Sequence, residues 1–201
     1  MPDSPSNLGL YLKRGFLPVL PTFHLSKQLN GDTAGDVVLS SWSSADKTTQ
    51  QKWLSELKEA TNQIYPDLDY SKEITTTANF NLGETLILTS DDKAVGFSTV
   101  RISSIREGLS LNSASIQVMA IHPAFTNEEN LLLLTDSATH LARMNNKQTL
   151  MLSVNACSSL ALNQLLSAGF IVERMMIRMV LEGTDKEIPL TNRVNLSHWA
   201  G

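Results

Sequence analysis

The chain has 201 residues, 42% of them apolar and 18% charged, which gives one sizeable domain a packed core and excludes wholesale disorder. With 16 basic against 20 acidic residues the net charge is −4, and no Lys/Arg run exceeds the pair Lys13-Arg14, so nucleic acid is not an expected partner. No apolar run nears the ~20 residues that span a bilayer, no secretory leader is expected from the first twenty residues, and the lone Cys157 excludes an internal disulfide or a cysteine metal cluster. A cytoplasmic protein without a membrane partner is the resulting expectation.

In chain order, a short helical pattern ends at Lys13-Arg14-Gly15, a glycine C-cap with basic residues in the last turn. An extended stretch, Phe16 to Leu25, follows, and the polar run Ser26 to Gly35 reads as a linker. Asp36 to Trp42 reads as a strand. From Lys47 to Tyr65 the residues Trp53, Leu54, Leu57, Ala60 and Ile64 recur at helical spacing, with Asp46 as cap and Pro66 as stop. A shorter helix is predicted from Ser71 to Ala78. Glu84–Thr89 and Ala94–Ile102 flank the polar turn Ser90 to Lys93 as a hairpin. Beyond the loop Ser103 to Asn112, Ala114–Ile121 is a strand that Pro123 ends. Leu131, Leu134, Ala138, Leu141 and Ala142 mark the strongest helix, Asn127 to Met144. Thr149–Val154 reads as a buried strand, a helix capped by Ser158 or Ser159 runs to Gly169, and Phe170–Leu181 is a long strand. The remainder, from Glu182, is polar apart from Leu190, Val194, Leu196 and Trp199. This alternation is an α/β pattern on a mixed sheet.

The order of elements and four local motifs resemble the GNAT acyltransferases. Ala94-Val95-Gly96-Phe97 looks like the family's third strand, and Ile116 to Pro123 (IQVMAIHP) like its central fourth strand. Leu152-Ser153-Val154-Asn155, followed by Leu165 to Phe170 (LLSAGF), looks like its strand–Asn–helix–Gly-Phe ending. The resemblance implies a mixed central sheet flanked by helices over residues 36–182, with 183–201 as a C-terminal tail. Gly9 to Phe16 repeats the helix-then-Gly-Phe arrangement of Asn163 to Phe170, so residues 1–31 resemble the closing part of a preceding GNAT domain, as in tandem members. Leu10, Leu12, Phe16, Leu17, Val19, Leu20 and Phe23 are too apolar to stay solvated. Phe16 to Leu25 is therefore expected on the domain's own sheet or on a second copy, which makes a homodimer the expectation.

The resemblance also implies transfer of an acetyl group from acetyl-CoA to an amine on a small molecule or protein. It assigns cofactor binding to Met119, Ala120 and Ile121 through backbone groups of a splayed fourth strand. To these it adds Thr126 and Asn130 in the pyrophosphate turn and Asn155 at the strand-to-helix crossing. The sheet is expected to splay after Ile121. The turn departs from the family's Arg/Gln-x-x-Gly-x-Gly/Ala pattern, with Thr126, Glu129 and Leu131 at the three motif positions. Glu128 and Glu129 put carboxylates where a pyrophosphate would sit. A unit pair at ~4 Å in an effective dielectric of ~20 repels by roughly 4 kcal/mol before screening. The same acids are ordinary partners for a helix N-terminus, and Glu128 or Glu129 is expected to face its open amides.

Catalytic residues stay unassigned. Leu162 occupies the place of the family's tyrosine acid, and Tyr11 matches that motif only in the N-terminal piece. His122 is the nearest candidate base, and Cys157 precedes a helix N-terminus, which can depress a thiol pKa. Two readings stand: an N-acetyltransferase with altered motifs, and a catalytically silent GNAT-fold module that binds a ligand or protein.

Overall fold

The computed structural model describes residues 5–29, 39–103, 110–181 and 194–197. The elements are α1 (Pro5–Leu12), β1 (Phe16–Gln28), β2 (Ser40–Ser41), α2 (Lys47–Ile64), α3 (Ser71–Asn79), β3 (Gly83–Ser90) and β4 (Lys93–Arg101). They continue with β5 (Ser113–Ile121), α4 (Glu128–Met144), β6 (Thr149–Asn155), α5 (Ser159–Ser167), β7 (Ile171–Leu181) and β8 (Asn195–Ser197). Single helical turns lie at Trp42–Ser44 and Pro123–Phe125. Eight strands form one mixed sheet in the order β2-β3-β4-β5-β6-β1-β7, with β8 on β5. Among the described residues no helix is long and apolar enough to cross a membrane.

Local chemistry sets most of these elements. Asp46 accepts the amide of Thr49 at 2.8 Å and starts α2. Asp91 and Asp92, at φ 49° and 60°, form the two-residue turn between β3 and β4, as short polar side chains tolerate that region. At Gly96 an added Cβ would lie 3.0 Å from the Ala120 carbonyl oxygen, so the glycine lets β4 lie close against β5. Two cores sit on the two faces of the sheet. Leu131, Leu134 and Ala138 of α4 and Ala161 and Leu165 of α5 pack one side with Met119, Ile121 and Leu152. Trp53 and Leu57 of α2 and Ile74 of α3 pack the other with Phe97, Val118 and Ala120.

Several elements differ from the expectations. Of the expected linker, residues 26–29 belong to the sheet and its core, and 30–35 lie outside the described residues: β1 runs to Gln28, and Leu29 and Ser26 are buried. Its hydroxyl donates to the Glu173 carboxylate, which explains why a buried strand carries polar residues there. Of the strand foreseen over Asp36 to Trp42, the described residues show Ser40–Ser41, with Trp42 opening a helical turn, and residues 36–38 lie outside the described residues. The loop from Ser103 to Asn112 also lies largely outside them.

The N-terminal segment is internal to the sheet. β1 is antiparallel to β6 on one edge and to β7 on the other, so Phe16 to Leu25 packs on the chain's own sheet. The helix–glycine–strand repeat is visible in three dimensions. Gly15 and Gly169, 154 positions apart, both take left-handed backbone at φ 80° and 88°, where a side chain is strained. Thr22 pairs with Met176, again 154 positions on, so β1 and β7 meet about a local pseudo-two-fold. The burial is unequal, however. α5 buries Ala161 and Leu165, whereas α1 buries nothing, and Leu10, Leu12 and Leu17 stay exposed despite their apolar character.

Candidate functional site

The site implied by the resemblance lies where β5 and β6 part. These strands pair in parallel only at Ser113–Ser115 against Thr149–Met151. The splay therefore begins after Ser115, six residues before the expected Ile121. The reason is on the other side of the gap: β8 lies antiparallel along β5, with Val118 opposite Ser197, Met119 opposite Leu196 and Ala120 opposite Asn195. The Ile121 N–H donates to the Val194 carbonyl at 3.2 Å. The polar remainder expected after Glu182 thus contributes a strand of the sheet.

Alternation along β8 divides its contacts between the two cores. Val194 and Leu196 are each only 1% exposed and belong to the core with Leu152, Val154, Leu165 and Phe170. Asn195 faces the opposite side, where its Oδ1 accepts the Tyr70 hydroxyl at 3.0 Å. Tyr70 is buried at the start of α3. A tyrosine hydroxyl thus meets β8 from the start of α3, on the face opposite α5.

The predicted cofactor residues are placed as follows. Met119, Ala120 and Ile121 are fully buried, and β8 takes their edge of the strand. Thr126 closes the turn after β5, its Oγ1 directed at the Ile121 and His122 carbonyls at 3.4 and 3.3 Å. Asn130 donates from Nδ2 to the Phe125 carbonyl at 2.8 Å. Its own N–H is taken at 2.8 Å by Asn127 Oδ1, the cap of α4. This corrects the expectation for the glutamates. The amide is satisfied by Asn127, while Glu128 and Glu129 stand exposed in the first turn. Asn155, at the end of β6, is buried and accepts the Cys157 N–H at 3.2 Å. The backbone edge, turn and crossing are therefore each engaged with the chain itself. This arrangement does not fit a coenzyme A: the β5 edge is occupied by β8 and the turn after β5 lacks glycine.

The candidate chemical groups behave likewise. His122 Nδ1 accepts the Ala124 N–H at 3.1 Å, and its ring lies edge-on to Phe125 at 5.6 Å, which makes it a structural part of the turn. Burial pushes the Cys157 thiol up, against a weaker opposing hydrogen bond from Ser158, so the helix N-terminus does not activate it. Sequence reasoning missed a buried cross-strand pair, Ser153 Oγ and His24 Nδ1 at 3.0 Å. Only the β1–β6 register brings them together. A separate cleft of about 500 Å³ lies between β2, β3 and α4, lined in part by Leu86, His140, Leu141 and Met144. Its one carboxylate, Glu84, is engaged by Ser43. Among the described residues no cluster could hold a metal ion.

No family model matches the sequence, and no curated protein matches it. Solved structures do resemble it. A GCN5-related N-acetyltransferase from Sphaerobacter thermophilus superposes with a TM-score of 0.64 at 15% identity, over 94% of this chain and 59% of that one. An acetyltransferase of the GNAT family from Colwellia psychrerythraea gives 0.59 at 11% identity, over 89% and 62%. A GCN5-related glucosamine N-acetyltransferase region of a fungal multi-domain GH3 β-N-acetylglucosaminidase gives 0.62 at 9% identity, over 89% and 23%. The chain spans less than two thirds of the length of each of these three. With the mixed sheet, the β5–β6 splay and helices on both faces, the chain has the fold of the GNAT superfamily.

Proposed function

We propose that this chain is a GNAT-fold binding module that does not turn over acetyl-CoA. The observation that carries the reading is the chain's own strand, Val194–Ser197, seated on the β5 edge at Val118–Ala120. Pantetheine recognition in this fold family needs that edge free, and here it is closed by backbone pairing and two buried side chains. Glu128 and Glu129 at the open end of α4 support the same reading through charge. The test is calorimetric titration with acetyl-CoA: no saturable heat at millimolar ligand is the expected result.

One observation favours a second reading, an N-acetyltransferase acting on an amine of a small molecule or protein. The Tyr70 hydroxyl reaches Asn195 of β8 and is a chemically suitable proton donor for a departing thiolate. That reading requires β8 to leave. Saturable acetyl-CoA binding, followed by acetylation of any amine in a mixed-acceptor screen, would replace our proposal with it. For self-association the reading is a homodimer through the outer edge of β7, the exposed end of the sheet.

A further inference from the structure

The groove described above is a strand-shaped slot, and its occupant defines what it recognises. One wall is the β5 edge, where Val118–Ala120 and Ile121 pair with an extended chain running antiparallel. The second wall is β6, which contacts β8 without laddering to it: β6 pairs with β1 throughout and with β5 only as far as Met151. The slot reads side chains alternately. Positions 194 and 196 enter the apolar core beside Leu152 and Val154, while position 195 meets the Tyr70 hydroxyl. Backbone pairing gives such a site affinity for any extended segment, and alternate pockets give it selectivity.

We infer that the β5–β6 slot is a binding site for an extended peptide of pattern apolar–Asn–apolar, filled in cis by Val194–Ser197 and open to the same kind of strand in trans. This rests on the non-catalytic reading and names its ligand class. The occupant is a three-residue strand that pairs with β5 at three positions. Its three specificity contacts, two apolar side chains and one amide, need no feature of this particular chain.

The test uses the full chain with a protease site placed within residues 184–190 and cut after folding. A fluorescein-labelled peptide of residues 191–201 (TNRVNLSHWAG) is then added. The expected result is one labelled peptide per chain, displaced by unlabelled peptide. The Leu196→Asp peptide should bind at least about 100-fold more weakly, because it would bury a carboxylate. The Asn195→Ala peptide should lose about tenfold, and Tyr70→Phe in the protein should erase the difference between these Asn and Ala peptides. The uncut chain carrying Leu196→Asp, whose own tail cannot seat, should also take the wild-type peptide.

No incorporation, or equal incorporation of the Leu196→Asp peptide, would overturn the inference. A cut chain that unfolds while the uncut one stays folded would overturn it too, making the strand a fixed piece of core. Acetyl-CoA serves as the separating probe. If it displaces the labelled peptide, the non-catalytic reading fails while strand recognition stands. If neither peptide nor acetyl-CoA binds, only the strand inference fails.

Discussion

Truncating Leu196 to alanine puts a number on how firmly the chain closes its own groove. Leu196 is 1% exposed and packed in the α4–α5 core, and its backbone pairs opposite Met119. Alanine keeps that pairing, so the change isolates the side chain. A buried Leu→Ala substitution loses the transfer free energy of the deleted carbons and leaves a cavity, together about 2–5 kcal/mol. The lower half of that range, about 2–3.5 kcal/mol, is the expectation, because a three-residue strand can shift to fill part of the space. For a chain of this size about 1 kcal/mol lowers Tm by roughly 2–4 °C, so a fall of about 4–14 °C should follow. Urea denaturation with an unchanged slope is the assay. A loss below about 0.5 kcal/mol, the level of an ordinary surface substitution, would refute the reasoning and make β8 a loosely apposed segment.

Four further outcomes follow from named contacts. In a double-mutant cycle, Tyr70→Phe and Asn195→Ala should show a coupling of about 0.5–1.5 kcal/mol, and additive losses would mean the 3.0 Å bond contributes nothing. Gly83→Ala should destabilise by about 1–3 kcal/mol, since its Cβ would lie 1.9 Å from the Val100 carbonyl oxygen. Gly9→Ala, in a helix with nothing within 4 Å, should instead stabilise by up to about 1 kcal/mol; thermal melts that rank the two the other way would contradict the packing. Cys157 should react with iodoacetamide more slowly than a free thiol at pH 8, because burial raises its pKa. The folded state holds that proton more tightly than the unfolded chain, so stability should fall as pH rises from the free-thiol value through the folded one; a thiol faster than glutathione would reverse that assignment. Finally, Ile171, Val172, Met175 and Leu181 are 45–58% exposed on the edge strand β7. Light scattering should give the mass of a dimer that Met175→Lys returns to monomer, and a monomer at all concentrations would remove this interface.

What the sequence made legible was whatever repeats. The stripes of α2 and α4, the β3–β4 hairpin and the strand before Pro123 are set by periodicity and capping within one element, and all are present. β8 was invisible for the opposite reason. Val-Asn-Leu-Ser is too short to show a period, and it becomes a strand only because β5 offers an unpaired edge beside an apolar hollow. The same dependence on tertiary partners hid the end of β1. Ser26 reads as linker until Glu173 is seen to take its hydroxyl. Tyr70 was overlooked because position along the chain says nothing of which helix meets β8. In the turn after β5, Asn127 takes the first-turn amide that a glutamate was expected to face. Both can accept a first-turn amide, and only geometry chooses between them.

The central claim is that the chain itself occupies the groove an acyl-CoA would need. The most direct measurement is a thermal-shift titration of the intact chain with acetyl-CoA, repeated on Leu196→Asp, whose tail strand cannot seat. A ligand at 100 times its Kd adds ~2.7 kcal/mol to stability, a shift that is easily read. No shift is predicted for either protein up to millimolar acetyl-CoA, since freeing the β5 edge leaves a turn without glycine and with two acidic residues in the first turn of α4. A saturable rise in Tm with the intact chain would contradict the central claim.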